Sequence, residues 1–323
     1  MEIKKIIFSS LISSFRKAQE YFSYKDIYIL ISGFVPKFSA FCPTGSFKDY
    51  ISTYSLFFLK GKKLVVASAG NVARAFAYAA SKFKKDVFIF TPKYALENLK
   101  IPILPSKTLK VFEVKGTYED AIELAKKFVK KNPFKYSLER GPKNRYRILG
   151  LSRLFEKVLK YVKFDAYFQA VSGGVGPLSL LYTCKKLKIP YPRLFLSQNL
   201  PYAPLYSYIN RENLSKEDEK KVLAKVLTNA KANFKLLENI INLTKGVVLG
   251  INNKEILSIK KDWEEILGVD IDYSVAVTLA SVKKAISEKL IKNEKILVHI
   301  TGAGYSLVKK YPIKPFKSLN SKK

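Results

Sequence analysis

From Lys63 to Ile300 the chain alternates short apolar runs with amphipathic stretches, and this alternation restricts its fold more than any other feature. Lys63-Leu64-Val65-Val66-Ala67 reads as a strand, Val72 to Phe83 as a helix, Asp86-Val87-Phe88-Ile89-Phe90 as a strand and Thr108 to Val114 as another. Thr117, with Asp120 three residues on, opens a helix through Lys130 in the manner of a capping box. The second half keeps the rhythm. Asn144 to Tyr161 is expected to be a long helix, Ala166 to Val171 a buried strand, Pro177 to Leu187 a helix, and Arg193 to Ser197 and Gly246 to Ile251 strands. Helices follow near Lys254 to Leu267 and Tyr273 to Leu290, the second with Val275, Leu279, Val282 and Ile286 along one face, and Lys295 to Ile300 is the last strand. Strands separated by helices imply βαβ units and a mostly parallel sheet, so the fold class is α/β. Residues 211 to 245 look helical and charged, a surface excursion between sheet elements, and the basic stretch from Lys309 is expected to fray.

The 323 residues suffice for one large globular unit or two lobes. Lys plus Arg number 58 against 26 Asp plus Glu, a formal charge of +32, which raises a nucleic-acid reading. Only eight of these are arginines, and the lysines are scattered over every segment without forming a stripe, so the excess reads as a solvated surface that favours anionic small molecules; nucleic acid is not the expected partner. Cys42 and Cys184 lie far apart with no CxxC partner, which suggests neither a zinc site nor a disulfide framework and fits a reduced cytoplasm. Residues 1 to 15 come closest to a signal peptide without matching one, and no apolar run is long enough to span a bilayer, because Asn71 and Arg74 break the best. The single histidine, His299, falls inside an apolar run and reads as a buried strand residue, so histidine triads and metal sites are not expected.

Chemistry is concentrated in four places. In Pro43-Thr44-Gly45-Ser46-Phe47-Lys48-Asp49-Tyr50, a Gly and a Ser precede an amphipathic run, which puts Lys48 in the first turn of a helix. A lysine held at a positive helix end in a partly apolar pocket is disfavoured as an ammonium, leaving a free amine able to form a Schiff base with a carbonyl. Ser68-Ala69-Gly70-Asn71 follows a strand and opens a helix, so its backbone amides can hold a carboxylate and the Asn71 amide can bond a ring hydroxyl. Ser172-Gly173-Gly174-Val175-Gly176 again joins strand to helix, with glycines that let the backbone approach a phosphate. Thr301-Gly302-Ala303-Gly304 places a hydroxyl at a strand end, where it could face a ring nitrogen. In doubly wound sheets ligands bind beyond the carboxyl ends of strands, where these loops fall.

A lysine nucleophile, a carboxylate loop, a phosphate cradle and a strand-end hydroxyl, in that order, resemble the fold-type II pyridoxal-phosphate enzymes. Ser46-Phe47-Lys48-Asp49 is similar to the Schiff-base motif of threonine synthases, Ala67 to Asn71 to their substrate and cofactor loop, and Thr301-Gly302 to the segment that bonds the pyridine nitrogen. Tyr167 to Val171, Pro192 to Pro201, Gly141-Pro142-Lys143-Asn144, Val226 to Asn229, Asp270-Ile271-Asp272 and Ile300 to Tyr305 resemble the cysteate synthase branch of that superfamily, a likeness running from about residue 37 to 310.

The resemblance implies a two-lobed, tryptophan synthase beta-like architecture of open, mostly parallel sheets flanked by helices. Residues 50–142 would form the smaller lobe with the substrate loop, residues 1–49 plus 143–310 the larger lobe with the phosphate loop, and 311–323 a basic tail. It implies pyridoxal 5'-phosphate as cofactor, held by Lys48, Asn71, Ser172, Gly173, Gly174, Val175, Gly176 and Thr301, with Lys48 also the catalytic base. Substrate would meet Ser68, Ala69, Gly70, Asn71, Lys143, Arg147 and Gln198, the two basic residues taking a phosphate or sulfite. The implied reaction replaces the phosphate of O-phospho-L-serine with sulfite to give L-cysteate, on the route to coenzyme M, in a cytoplasmic homodimer. Threonine synthase, acting on O-phosphohomoserine, or a related pyridoxal-phosphate-dependent β-replacement lyase is the alternative within the superfamily. Two departures stand out. Val175 occupies a position where the family usually has a hydroxyl residue, and the cysteine-bearing N-terminal segment of such enzymes is not expected here.

Overall fold

The computed structural model of the protein describes residues 9–13, 15–58, 61, 63–97 and 99–320. The chain forms two compact units, one of residues 1–45 and 151–306, the other of residues 46–150 and 307–323.

In the larger unit a six-stranded sheet runs in the order Ser10–Ile12, Ile27–Ile31, Ile296–Ile300, Ala166–Ala170, Arg193–Asn199, Val247–Ile251. Only the first pair is antiparallel. Every residue of Ile296–Ile300 and Ala166–Ala170 is buried, as expected of central parallel strands covered on both faces. The helices Asn253–Leu267 and Tyr273–Ser287 supply much of the cover, and Trp263, fully buried, packs against Phe15, Tyr21 and Phe22. Two polar residues, Gln169 and His299, lie within these otherwise apolar strands.

The smaller unit holds a five-stranded, wholly parallel sheet in the order Lys317–Asn320, Leu109–Lys115, Val87–Pro92, Lys63–Ala67, Tyr136–Leu138. One face is an aromatic layer in which Phe90 stacks on Phe112 at 4.7 Å and Phe128 meets Tyr136 at 4.6 Å. Thr117 caps the helix Tyr118–Lys131 together with Asp120, the reciprocal bonding that the spacing implies.

Two stretches depart from the sequence reading. Residues 311 to 320 do not fray: Tyr311–Pro312 pairs antiparallel with Lys100–Ile101, and Lys317–Asn320 runs parallel to the edge strand Leu109–Lys115. Backbone pairing holds this segment, with Phe316 set edge-on to Phe112 at 5.6 Å, so its apolar content gives little sign of it. Residues 211 to 245 are mostly irregular, with two short 3-10 turns and one α-helix, Phe234–Leu243, capped by the Asn233 side chain. The many charges there solvate turns where a helix was expected.

Candidate active site

In the smaller unit Lys48 is the first residue of the helix Lys48–Phe58. The residue is half-buried, and its Nζ lies 4.0 Å from the centre of the Phe47 ring. Burial lowers its pKa from the ordinary 10.5 to about 7; the Arg147 guanidinium pushes the same way and the Glu139 carboxylate opposes it. Much of this amine is therefore neutral at physiological pH.

Glu139 follows the strand Tyr136–Leu138 and gathers donors from what comes after it. Arg147 grips it with two bonds, Nε to Oε1 at 2.6 Å and Nη2 to Oε2 at 2.5 Å. The Gly141 amide donates at 3.0 Å and the Asn144 side chain at 3.1 Å, so the 3-10 turn Gly141–Lys143 and the helix Arg145–Tyr161 are anchored on one carboxylate. Both members of the ion pair are nearly out of solvent, where a lone charge would be costly and a bidentate pair is not. Arg147 is thus committed to Glu139, whereas Lys143, in the turn, is exposed.

Ser68 sits directly after the strand Lys63–Ala67 and is buried. Its Oγ accepts from the amides of Ala73 at 3.2 Å and Gly70 at 3.4 Å, so its first task is to cap the helix Asn71–Phe83, and only its own proton remains to be donated. Ala69, Gly70 and Asn71 are half-buried at the mouth of that loop.

In the larger unit Ser172 to Gly176 joins the strand Ala166–Ala170 to the helix Val175–Leu187. Gly174 adopts φ 77°, a left-handed conformation that favours glycine, and the helix begins with no capping side chain. Amides of its first turn that lack a side-chain cap, at the positive end of a thirteen-residue helix, suit a phosphate. Val175 is buried, so what it offers a ligand is backbone alone. Thr301, also buried, follows the strand Ile296–Ile300, and the neighbouring Gly302 packs so closely on Asp272 that a Cβ would lie 2.5 Å from its carboxylate.

Gln198 does not have the role the sequence suggested. Its Nε2 donates to the carbonyls of Val171 at 3.1 Å and Leu227 at 3.4 Å, and its Oε1 accepts from the amides of Leu205 at 2.7 Å and Tyr206 at 3.2 Å. All four positions of the amide are filled by backbone, which leaves none for a substrate.

Residues 32–302 match the family described as pyridoxal-phosphate dependent enzyme. The chain belongs to that family. Among curated relatives it is 32% identical to cysteate synthase of Methanosarcina barkeri, over 90% of this chain and 77% of the relative, and 32% identical to cysteate synthase of Methanococcoides burtonii, over 86% and 70%. Among solved structures, serine racemase from Dictyostelium discoideum superposes with a TM-score of 0.71 at 21% identity, covering 94% of each chain. The processed form of threonine deaminase isoform 2 from Solanum lycopersicum does so with a TM-score of 0.71 at 18%, covering 92% and 84%. The protein is a pyridoxal-phosphate-dependent enzyme of fold-type II. Each unit by itself holds groups that suit part of the cofactor: in the smaller unit the partly neutral Lys48 amine suits an aldehyde, and in the larger the uncapped, glycine-bearing helix start suits a phosphate.

Within the smaller unit the structure brings Lys48, Glu139 and Arg147 into one electrostatic neighbourhood. Sequence reasoning missed Glu139. The signal available was an acid five residues before Asn144 and eight before Arg147, in a chain short of acids. Among the described residues no cluster of His, Cys, Asp and Glu could hold a metal ion, and no helix is long and apolar enough to cross a membrane.

Proposed function

We propose that the enzyme catalyses a β-replacement in which O-phospho-L-serine and sulfite give L-cysteate and phosphate. The observation that carries the reading is the partly neutral Lys48 amine at a helix start; likeness to relatives named cysteate synthase along most of both chains favours this pair of substrates.

Lys48 would hold the cofactor's aldehyde carbon, the amides of Ser172 to Gly176 its phosphate, Thr301 its ring nitrogen and Asn71 its ring hydroxyl. When bound, pyridoxal phosphate supplies an electron sink conjugated to the substrate's α carbon. A Thr301 hydroxyl, unlike a carboxylate, leaves the ring nitrogen neutral, which suits replacement over transamination. Backbone amides of Ala69 and Gly70, with the remaining Ser68 proton, would orient the substrate carboxylate. Lys48 Nζ, whose pKa burial lowers to about 7, can take the α proton and return it. In the exchange the Cβ–O bond to phosphate breaks with its electron pair and the sulfur of sulfite bonds to Cβ. Exposed Lys143 would receive an anion, while Arg147, fixed on Glu139, would contribute charge from a set position. A cytoplasmic homodimer on the route to coenzyme M belongs to the same reading.

Mass analysis of products from the holoenzyme with O-phospho-L-serine and sulfite tests it. Cysteate and phosphate are expected in equal amounts. Threonine from O-phosphohomoserine, with no cysteate, would move the assignment to threonine synthase. No product from either, with strongly salt-dependent binding to duplex DNA, would return attention to the charge.

A further inference from the structure

Between the two central strands of the larger unit runs a chain of buried polar side chains with no part in the mechanism above. Ser9 Oγ donates to Ser32 Oγ at 3.0 Å, Ser32 Oγ lies 2.9 Å from His299 Nε2, His299 Nδ1 lies 2.7 Å from the Tyr167 hydroxyl, and that hydroxyl donates to Gln169 Oε1 at 2.6 Å. Gln169 Nε2 donates to the Ala170 carbonyl at 3.3 Å. Ser32, His299, Tyr167 and Gln169 are all buried.

The bonding fixes its own direction. Gln169 Oε1 can only accept, so the single Tyr167 hydrogen points to it, and the hydroxyl must accept from His299 Nδ1–H. In a neutral imidazole Nε2 is then bare and accepts from Ser32, whose oxygen accepts from Ser9. The neutral ring has one tautomer compatible with this bonding. Burial pushes the Tyr167 phenol well above its ordinary pKa, so it stays a neutral donor and the chain transmits position and not charge.

The far end of this chain meets the phosphate loop. A Cβ on Gly176 would lie 1.9 Å from Gln169 Oε1 and 2.6 Å from both Cδ and Nε2, so the first turn of Val175–Leu187 rests directly on the Gln169 amide. The other end holds the strand whose exit carries Thr301, two residues beyond His299. Burying four polar side chains in and beside the central strands, where apolar residues would serve packing alone, is unfavourable unless every member is bonded; here each is.

We propose that Ser32, His299, Tyr167 and Gln169 are positioning residues that seat the Ser172–Gly176 loop at the height needed to grip the cofactor phosphate. The proposal rests on the reading of that loop as the phosphate site. Tyr167→Phe keeps the ring and removes the hydroxyl that links His299 Nδ1 to Gln169 Oε1.

Because His299 is the only histidine, ¹⁵N-histidine labelling reports it alone. The expected wild-type spectrum has a protonated Nδ1 and a bare Nε2, changing in Tyr167→Phe; a protonated Nε2 in the wild type would overturn the relay. The phosphorus resonance of the bound cofactor is expected to shift in Tyr167→Phe, and pyridoxal phosphate affinity to fall about tenfold. A remote core variant, Ile259→Val, should leave both unchanged. Ser172→Ala separates the two claims. If it moves the phosphorus resonance and Tyr167→Phe does not, the positioning proposal fails while the loop reading stands; if neither moves it, the loop reading fails and takes the proposal with it. Should Tyr167→Phe not fold, Ser32→Ala is expected to give the same changes in weaker form, and their absence would overturn the proposal.

Discussion

Lys48 is one amine among many on a chain of net charge +32, and what sets it apart is where its proton would have to sit. Burial, the helix start and Arg147 all disfavour the ammonium, and Glu139 offsets them only in part. Two consequences share one sign. In the apoprotein the unfolded chain binds a proton at Lys48 that the folded chain has released, between about pH 7 and 10.5, so this group's contribution to stability rises with pH across that window and is lost as pH falls through 7. The free amine is also the nucleophile. The rate at which apoprotein captures pyridoxal phosphate is therefore expected to rise with pH to a plateau, with a midpoint near 7, and Arg147→Met should move the midpoint upward. Stopped-flow absorbance over a pH series measures it; a midpoint near the ordinary lysine value would contradict the burial argument.

At the scale of elements, the loops Ser68–Asn71 and Ser172–Gly176 each sit where a parallel strand hands over to a helix, and the helix starts are treated differently. Ser68 caps its own helix, Thr117 caps with Asp120, and the helix beginning at Val175 is left uncapped. The C-terminal strand Lys317–Asn320 closes an edge that would otherwise expose Leu109–Lys115. Ending the chain after Lys314 is expected to lower stability by about 1–2 kcal/mol and to promote aggregation, read from urea midpoints and light scattering. An unchanged midpoint would mean the strand is ornamental. That element was not legible in the sequence, because Lys317, Ser318 and Asn320 are exposed and the strand is held by backbone pairing with one side-chain bond, Ser318 Oγ to Glu113 Oε1 at 2.9 Å. Ile27–Ile31 carries as clear an apolar run as any strand, yet its parallel partner Ile296–Ile300 lies near the other end of the chain, and no local pattern announces that pairing. The same divide runs through the site. Lys48, Asn71 and the Ser172–Gly176 loop are chain-local signals. Glu139 and Gln198 take their roles from donors and acceptors that only the fold supplies.

For the molecule as a whole, the lysine excess says little about the fold and much about the difficulty of finding one reactive amine by composition. Two α/β units, one with a wholly parallel and one with a mostly parallel sheet, present candidate cofactor residues at the carboxyl ends of strands, as doubly wound sheets do. The central claim is that one lysine carries the cofactor. Reducing the holoenzyme with borohydride and mapping its peptides by mass spectrometry tests this most directly: the account predicts a phosphopyridoxyl group on Lys48 alone, and a label spread over other lysines, or absent, would contradict it.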